Sequence, residues 1–189
     1  GVLVTLDLVG LERTHAADIC RALQADHGLR RDQVVLACSH THTGPVVARN
    51  LRPMHYLLFD AADRGLVDRY AAYLRSQVRA VVSRAVHALA PAEISHGAGV
   101  ATFAVNRRNN PEVEVPQRRA EGRLRGPVDH AVPVLAVRQG ERLVAAVFGY
   151  ACHCTVLGSS EWSGDYAGFA QANIESMRRR SPGFIARRR

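Results

Sequence analysis

The sequence predicts an α/β fold, a mixed β-sheet flanked by helices, and three observations predict it. Short β-branched apolar runs alternate with helical patterns through the first ninety residues. Two later apolar runs are separated by a tight Gln139-Gly140 turn and read as a hairpin. The chain has 189 residues, 47% of them hydrophobic and 22% charged. That is enough for a sizeable core and too apolar for disorder.

Each element follows in order. Val2 to Val9 (VLVTLDLV) reads as a buried strand. Thr14 is placed to cap a helix running to about His27, where Gly28 ends it. Val34 to Ser39 is a second buried strand, and an irregular stretch with Gly44, Pro45 and Pro53 follows. Leu66, Tyr70, Leu74, Val78, Val81, Ala85 and Leu89 recur at three- or four-residue steps, the signature of one buried helix face. Pro91 is expected to stop that helix. Ala92 to Val105 reads as a strand region broken by Gly97 and Gly99, and 107–130 as a long polar loop. Val132–Val137 and Leu143–Tyr150 form the hairpin, and a last helix spans Asp165 to about Arg180. Residues 1–177 read as part of one domain, with 178–189 an Arg-rich tail outside its core.

Charge and cysteine usage narrow the function classes. All 25 basic residues are Arg, giving a net charge of +8. Six of them (Arg178, Arg179, Arg180, Arg187, Arg188 and Arg189) sit in the last twelve residues, and the other 19 face 17 acids, a net of +2. The body has no basic stripe interleaved with aromatics, so no specific nucleic-acid partner is expected. A rival reading makes the Arg tail a nucleic-acid binder. No run approaches the roughly 18–20 apolar residues of a membrane span. Cys20, Cys38, Cys152 and Cys154 form neither a C-x-x-C nor a disulfide framework and read as reduced thiols. Those thiols and the lack of a signal peptide point to the cytoplasm, while export of a longer parent is compatible. The first residues resemble the interior of a longer chain, and an open sheet edge would invite self-association.

Two strand ends carry the chemistry. Ser39-His40-Thr41-His42-Thr43-Gly44-Pro45 follows the second strand, and strand ends in α/β folds are where ligand groups gather. Histidines at i and i+2 project to one side of an extended chain. They could bind zinc together, or one could bind metal while the other moves protons. They could also be loop histidines held by hydrogen bonds. His153, in Gly149-Tyr150-Ala151-Cys152-His153-Cys154-Thr155, ends another strand. Alternation points its flanking thiols away, toward the core. Asp165 reads either as a helix N-cap or as a carboxylate that orients a ligand histidine or binds substrate. Arg107, in Asn106-Arg107-Arg108-Asn109-Asn110-Pro111, is a clamp for a carbonyl or carboxylate, or a solvated charge. His15, His27 and His87 fall in helices without a matching partner.

Taken in order, SHTHTGP, NRRNNP, GPVDHAVPVLAV, GYACHCTVLG and WSGDYAGFA resemble the N-terminal catalytic domain of the neutral/alkaline non-lysosomal ceramidases. The resemblance runs to about Ser176. It implies zinc-dependent hydrolysis of an N-acyl amide, in ceramide an N-acylsphingosine, giving sphingosine and a fatty acid. It makes His40 and His153 the zinc ligands and His42 the group that passes a proton. Arg107 would line the substrate pocket, and Asp165 would lie near the metal and bind substrate. Family members complete the zinc sphere with residues further along their chains, so this sequence reads as an N-terminal fragment. The alternative is a truncated remnant or interaction module without turnover.

Overall fold

The computed structural model describes the backbone of residues 1–180 and the side chains of 1–177. The Arg-rich stretch 178–189 therefore lies outside the described side chains. The fold is α/β, with parallel pairing in one sheet and antiparallel pairing in another. Two compact units account for it. One comprises Gly1–Ala90 with His153–Met177, and the other is built on Pro91–Cys152. Among the described residues no helix is long and apolar enough to cross a membrane.

In the first unit, β1 (Val2–Leu6) and β2 (Val34–Cys38) pair in parallel, in register from Val2 opposite Val34 to Leu6 opposite Cys38. Helix α1 (Arg13–His27) joins them and buries His15, Ile19, Cys20 and Leu23. Thr14 is not its cap. Extended Glu12 precedes the helix, and its carbonyl accepts the Ala16 N–H at 3.0 Å, so Thr14 lies inside the first turn. Gly28 does end it, at φ 67°, with its N–H donated to Gln24 O, a left-handed stop that a side chain would resist.

Helix α2 (Ala61–His87) is capped by Asp60, whose carboxylate accepts the Asp63 N–H at 2.9 Å. Its buried face is Ala71, Leu74, Val78 and Val82. The expected stripe is therefore rotated: Leu66 is 56% exposed and Val81 43% exposed. Both faces carry apolar residues, and packing against α1 and β1 selects between them. The helix ends at His87, capped by Ala88, four residues before Pro91. The core gathers Val4, Leu8, Ile19, Leu23, Val34, Val47, Leu74, Val78 and Val82. At its rim Arg79 of α2 forks onto the Asp26 carboxylate of α1, at 2.7 and 2.8 Å. Helix α4 (Asp165–Arg180) matches the span predicted for it.

The second unit is an antiparallel meander in the order β3 (Glu93–Val100), β4 (Ala131–Gln139), β5 (Arg142–Phe148). Gly97 and Gly99 do not break β3, which pairs with β4 along all eight residues and is exposed throughout. The hairpin loop is Gly140-Glu141, one residue later than predicted, with Gly140 at φ 55°. The 107–130 stretch is not structureless. It holds the short helix α3 (Val115–Ala120) and wraps around Asn110, which is fully buried. The Asn110 amide donates to Asn106 O and Arg125 O and accepts the Arg125 N–H. Buried polar side chains must find such partners, and a loop backbone is rich in them.

Candidate metal centre

The site is built where the chain leaves β2. Pairing continues for two residues past the strand, with Ser39 N–H donated to Leu6 O and His40 N–H to Leu8 O. His40 then takes φ 61°, a left-handed conformation uncommon for a side chain of its size. Its Nδ1 lies 2.6 Å from Val9 O. Donation there places the proton on Nδ1 and leaves Nε2 as the open donor atom.

From His40 onward, side chains alternate. His40 and His42 are exposed, while Thr41 and Thr43 are buried. The two threonine hydroxyls lie 3.0 Å apart, and each reaches Ser163 O at 3.0 Å. The Ser163 N–H returns to Thr43 O, and Ser163 Oγ accepts the Asp165 N–H. The His42 N–H donates to Cys154 O at 3.4 Å. Gly44 is required here, because a Cβ would stand 2.7 Å from Asp7 O. Thr41, Thr43 and Ser163 were missed as site residues in the sequence. Their signal was the alternation itself, which sends the threonines inward whenever the histidines point out.

The three imidazoles converge. Ring centroids are 4.7 Å apart for His40 and His153, 4.9 Å for His42 and His153, and 5.2 Å for His40 and His42. One ring nitrogen from each lies within 4.8 Å of the others, and all three residues are exposed. His153 Nδ1 is 3.1 Å from Thr155 Oγ1. Burial, then the neighbouring His40 and His42 rings, hold the His153 pKa below its ordinary value, with Asp165 acting the other way. That direction favours the neutral imidazole a cation requires.

Asp165 opens α4 at φ 54° and is 1% exposed. Its Oδ2 accepts the Leu157 N–H at 2.8 Å. Its Oδ1 accepts the Tyr166 N–H at 2.7 Å and the Val156 N–H at 3.3 Å. Burial pushes its pKa up, but these amides, with His153 beside them, outweigh that and hold it below the usual carboxylate value. Arg107 lies in the second unit, where its guanidinium pairs with Glu112 at 2.7 Å. Cys154 is buried and Cys152 half-buried. His27 and His87, read as unpartnered, meet edge to face at 6.3 Å across α1 and α2.

Chemically the trio suits a divalent cation. Imidazole nitrogen is a favoured zinc ligand, and catalytic zinc sites use three protein ligands and one open position. Zinc ligands at about 2.1 Å stand about 3.4 Å apart in a tetrahedron, so ring nitrogens up to 4.8 Å apart would close in to share one ion. The neutral donors and open face also suit other first-row divalent ions.

Fold and site together define an α/β protein with a solvent-facing cluster of three imidazoles that could hold a metal ion. The sequence model of the neutral/alkaline non-lysosomal ceramidases, N-terminal, matches residues 1–187, and the chain belongs to that family. Membership places it among ceramidase-like hydrolases of lipid metabolism and implies a lipid substrate. No curated protein matches it.

Proposed function

We propose that this chain carries the zinc-binding part of an amide hydrolase that cleaves N-acyl lipids of the ceramide type. The observation that carries the reading is the convergence of His40, His42 and His153 within 4.8 Å in a chain of this family. His40 and His153 are the proposed zinc ligands. A zinc ion held there supplies a polarised acyl oxygen and a water of lowered pKa. His40 presents Nε2 because its Nδ1 proton is given to Val9 O. His42 is the proposed acid/base. Neither of its ring nitrogens makes a hydrogen bond among the described residues, so one can take a proton and pass it to the leaving amine. Its backbone bond to Cys154 O holds it beside His153. Arg107 is assigned a substrate contact from its place in the NRRNNP motif.

The test pairs metal content with turnover. Elemental analysis of tag-free protein should give zinc near one per chain, lost in His40→Ala and His153→Ala but retained in His42→Ala. Fatty-acid release from an N-acylsphingosine should be abolished by a chelator and restored by zinc. A metal-replete, active His40→Ala protein would sink this reading.

A further inference from the structure

We propose that Asp165 is the positioning residue for His153: its buried carboxylate grips the Val156 and Leu157 amides and so fixes the turn from which the imidazole projects. The inference rests on the metal-centre reading above and goes beyond it, because it assigns Asp165 a task other than substrate contact. Both carboxylate oxygens are occupied. Oδ2 takes the Leu157 N–H, and Oδ1 takes the Val156 and Tyr166 N–H groups. With 1% of the residue exposed, no acceptor face is left for a substrate.

An N-cap role does not account for the geometry either. A capping side chain accepts from the amides two or three residues into its helix. Asp165 instead accepts from the next residue and from a turn eight and nine residues earlier. Its φ of 54° is a conformation that Asp and Asn tolerate better than most side chains. That backbone aims the carboxylate back over the 153–157 turn. Within the turn, the Thr155 N–H donates to His153 O, and Thr155 Oγ1 lies 3.1 Å from His153 Nδ1. The other two imidazoles are anchored separately. His40 is held by Leu8 O and Val9 O, and the segment carrying His42 is held by the Thr41 and Thr43 hydroxyls on Ser163. The carboxylate therefore acts first on His153, one of the two proposed ligands, and reaches His42 only through the Cys154 O bond. Partners that orient metal-binding histidines typically change metal affinity 10–100-fold when removed.

Asp165→Asn tests this, since it preserves size and tolerance of the left-handed backbone but replaces one acceptor oxygen by a donor. Leu157→Pro removes the best-formed amide of the turn and leaves Asp165 intact, so it decides the matter if the first variant does not fold. Zinc affinity is read by competition with a chromophoric chelator in each variant, in His153→Ala, and in the Asp165→Asn/His153→Ala double variant. The expected result is a 10–100-fold loss in Asp165→Asn and in Leu157→Pro, with no further loss when Asp165→Asn is added to His153→Ala. Wild-type affinity in either folded variant, or an equal loss in the His153→Ala background, would overturn it. A second readout needs no metal. In zinc-free protein, Asp165→Asn should speed amide exchange at Val156 and Leu157 and shift the NMR signals of the His153 ring while leaving the His40 ring in place. Unchanged exchange and an unchanged His153 ring would overturn the proposal. A wild-type chain that takes up no zinc would instead refute the metal-centre reading, and the exchange experiment would still decide the role of Asp165.

Discussion

At the residue scale, the T-H-T segment has two faces with two jobs. Its histidines point to solvent and its threonines point inward, where Thr41 is fully buried and Thr43 nearly so. A buried hydroxyl is tolerated only when bonded, and these two share Ser163 O and each other. Thr41→Val keeps the shape but removes the hydroxyl that also accepts the Thr43 N–H at 3.3 Å. It should destabilise the chain by about 1–2 kcal/mol, the usual consequence of leaving a buried donor without its partner. Urea denaturation measures this, and an unchanged midpoint would show that the hydroxyl network does not hold the loop. The histidines were legible as candidates because of their type and spacing. Alternation sends the threonines inward, but it does not name their partner, Ser163, 120 residues from Thr43.

At the element scale, α2 shows how periodicity finds a helix without choosing its face. Of the predicted stripe, Leu74 and Val78 are buried while Leu66, Val81 and Leu89 are exposed, and Ala71 and Val82 complete the buried face instead. The contrast gives a paired prediction. Val82→Ala should cost about 2 kcal/mol, from lost burial and the cavity left behind. Val81→Ala, at 43% exposure, should stay within about 0.5 kcal/mol. Equal effects in thermal or chemical unfolding would contradict the observed face. The end of α1 was legible at Gly28 because a left-handed stop has few alternatives. Its start was not, since Glu12 precedes the helix without a side-chain bond. Loop 107–130 was read as structureless because the buried Asn110 and the arginines of α3 order it largely through backbone carbonyls, which carry no sequence signal.

At the scale of the whole molecule, the three histidines belong to one compact unit and Arg107 to the other. Zinc binding should therefore act on the first unit. Free zinc at a hundredfold above its dissociation constant should stabilise that unit by about 2.7 kcal/mol. Hydrogen exchange resolves the effect by unit. Protection should rise through Gly1–Ala90 and His153–Met177, vanish with a chelator, and be absent in His40→Ala. Zinc-induced protection that persists in His40→Ala would place the ion elsewhere.

The sequence by itself determined the α/β class, the β2 end that carries His40 and His42, the Gly28 stop, the last helix and the family to which the chain belongs. These are local facts, written in residue type, spacing and backbone preference. His153 lies five residues beyond the end of β5 at Phe148, not at the strand end expected for it. Tertiary structure alone decided which residues complete the buried face of α2 and that His42 stands as close to His153 as His40 does. Each of those depends on groups far apart in the chain being brought within a few ångströms, and periodicity and propensity contain no term for that distance.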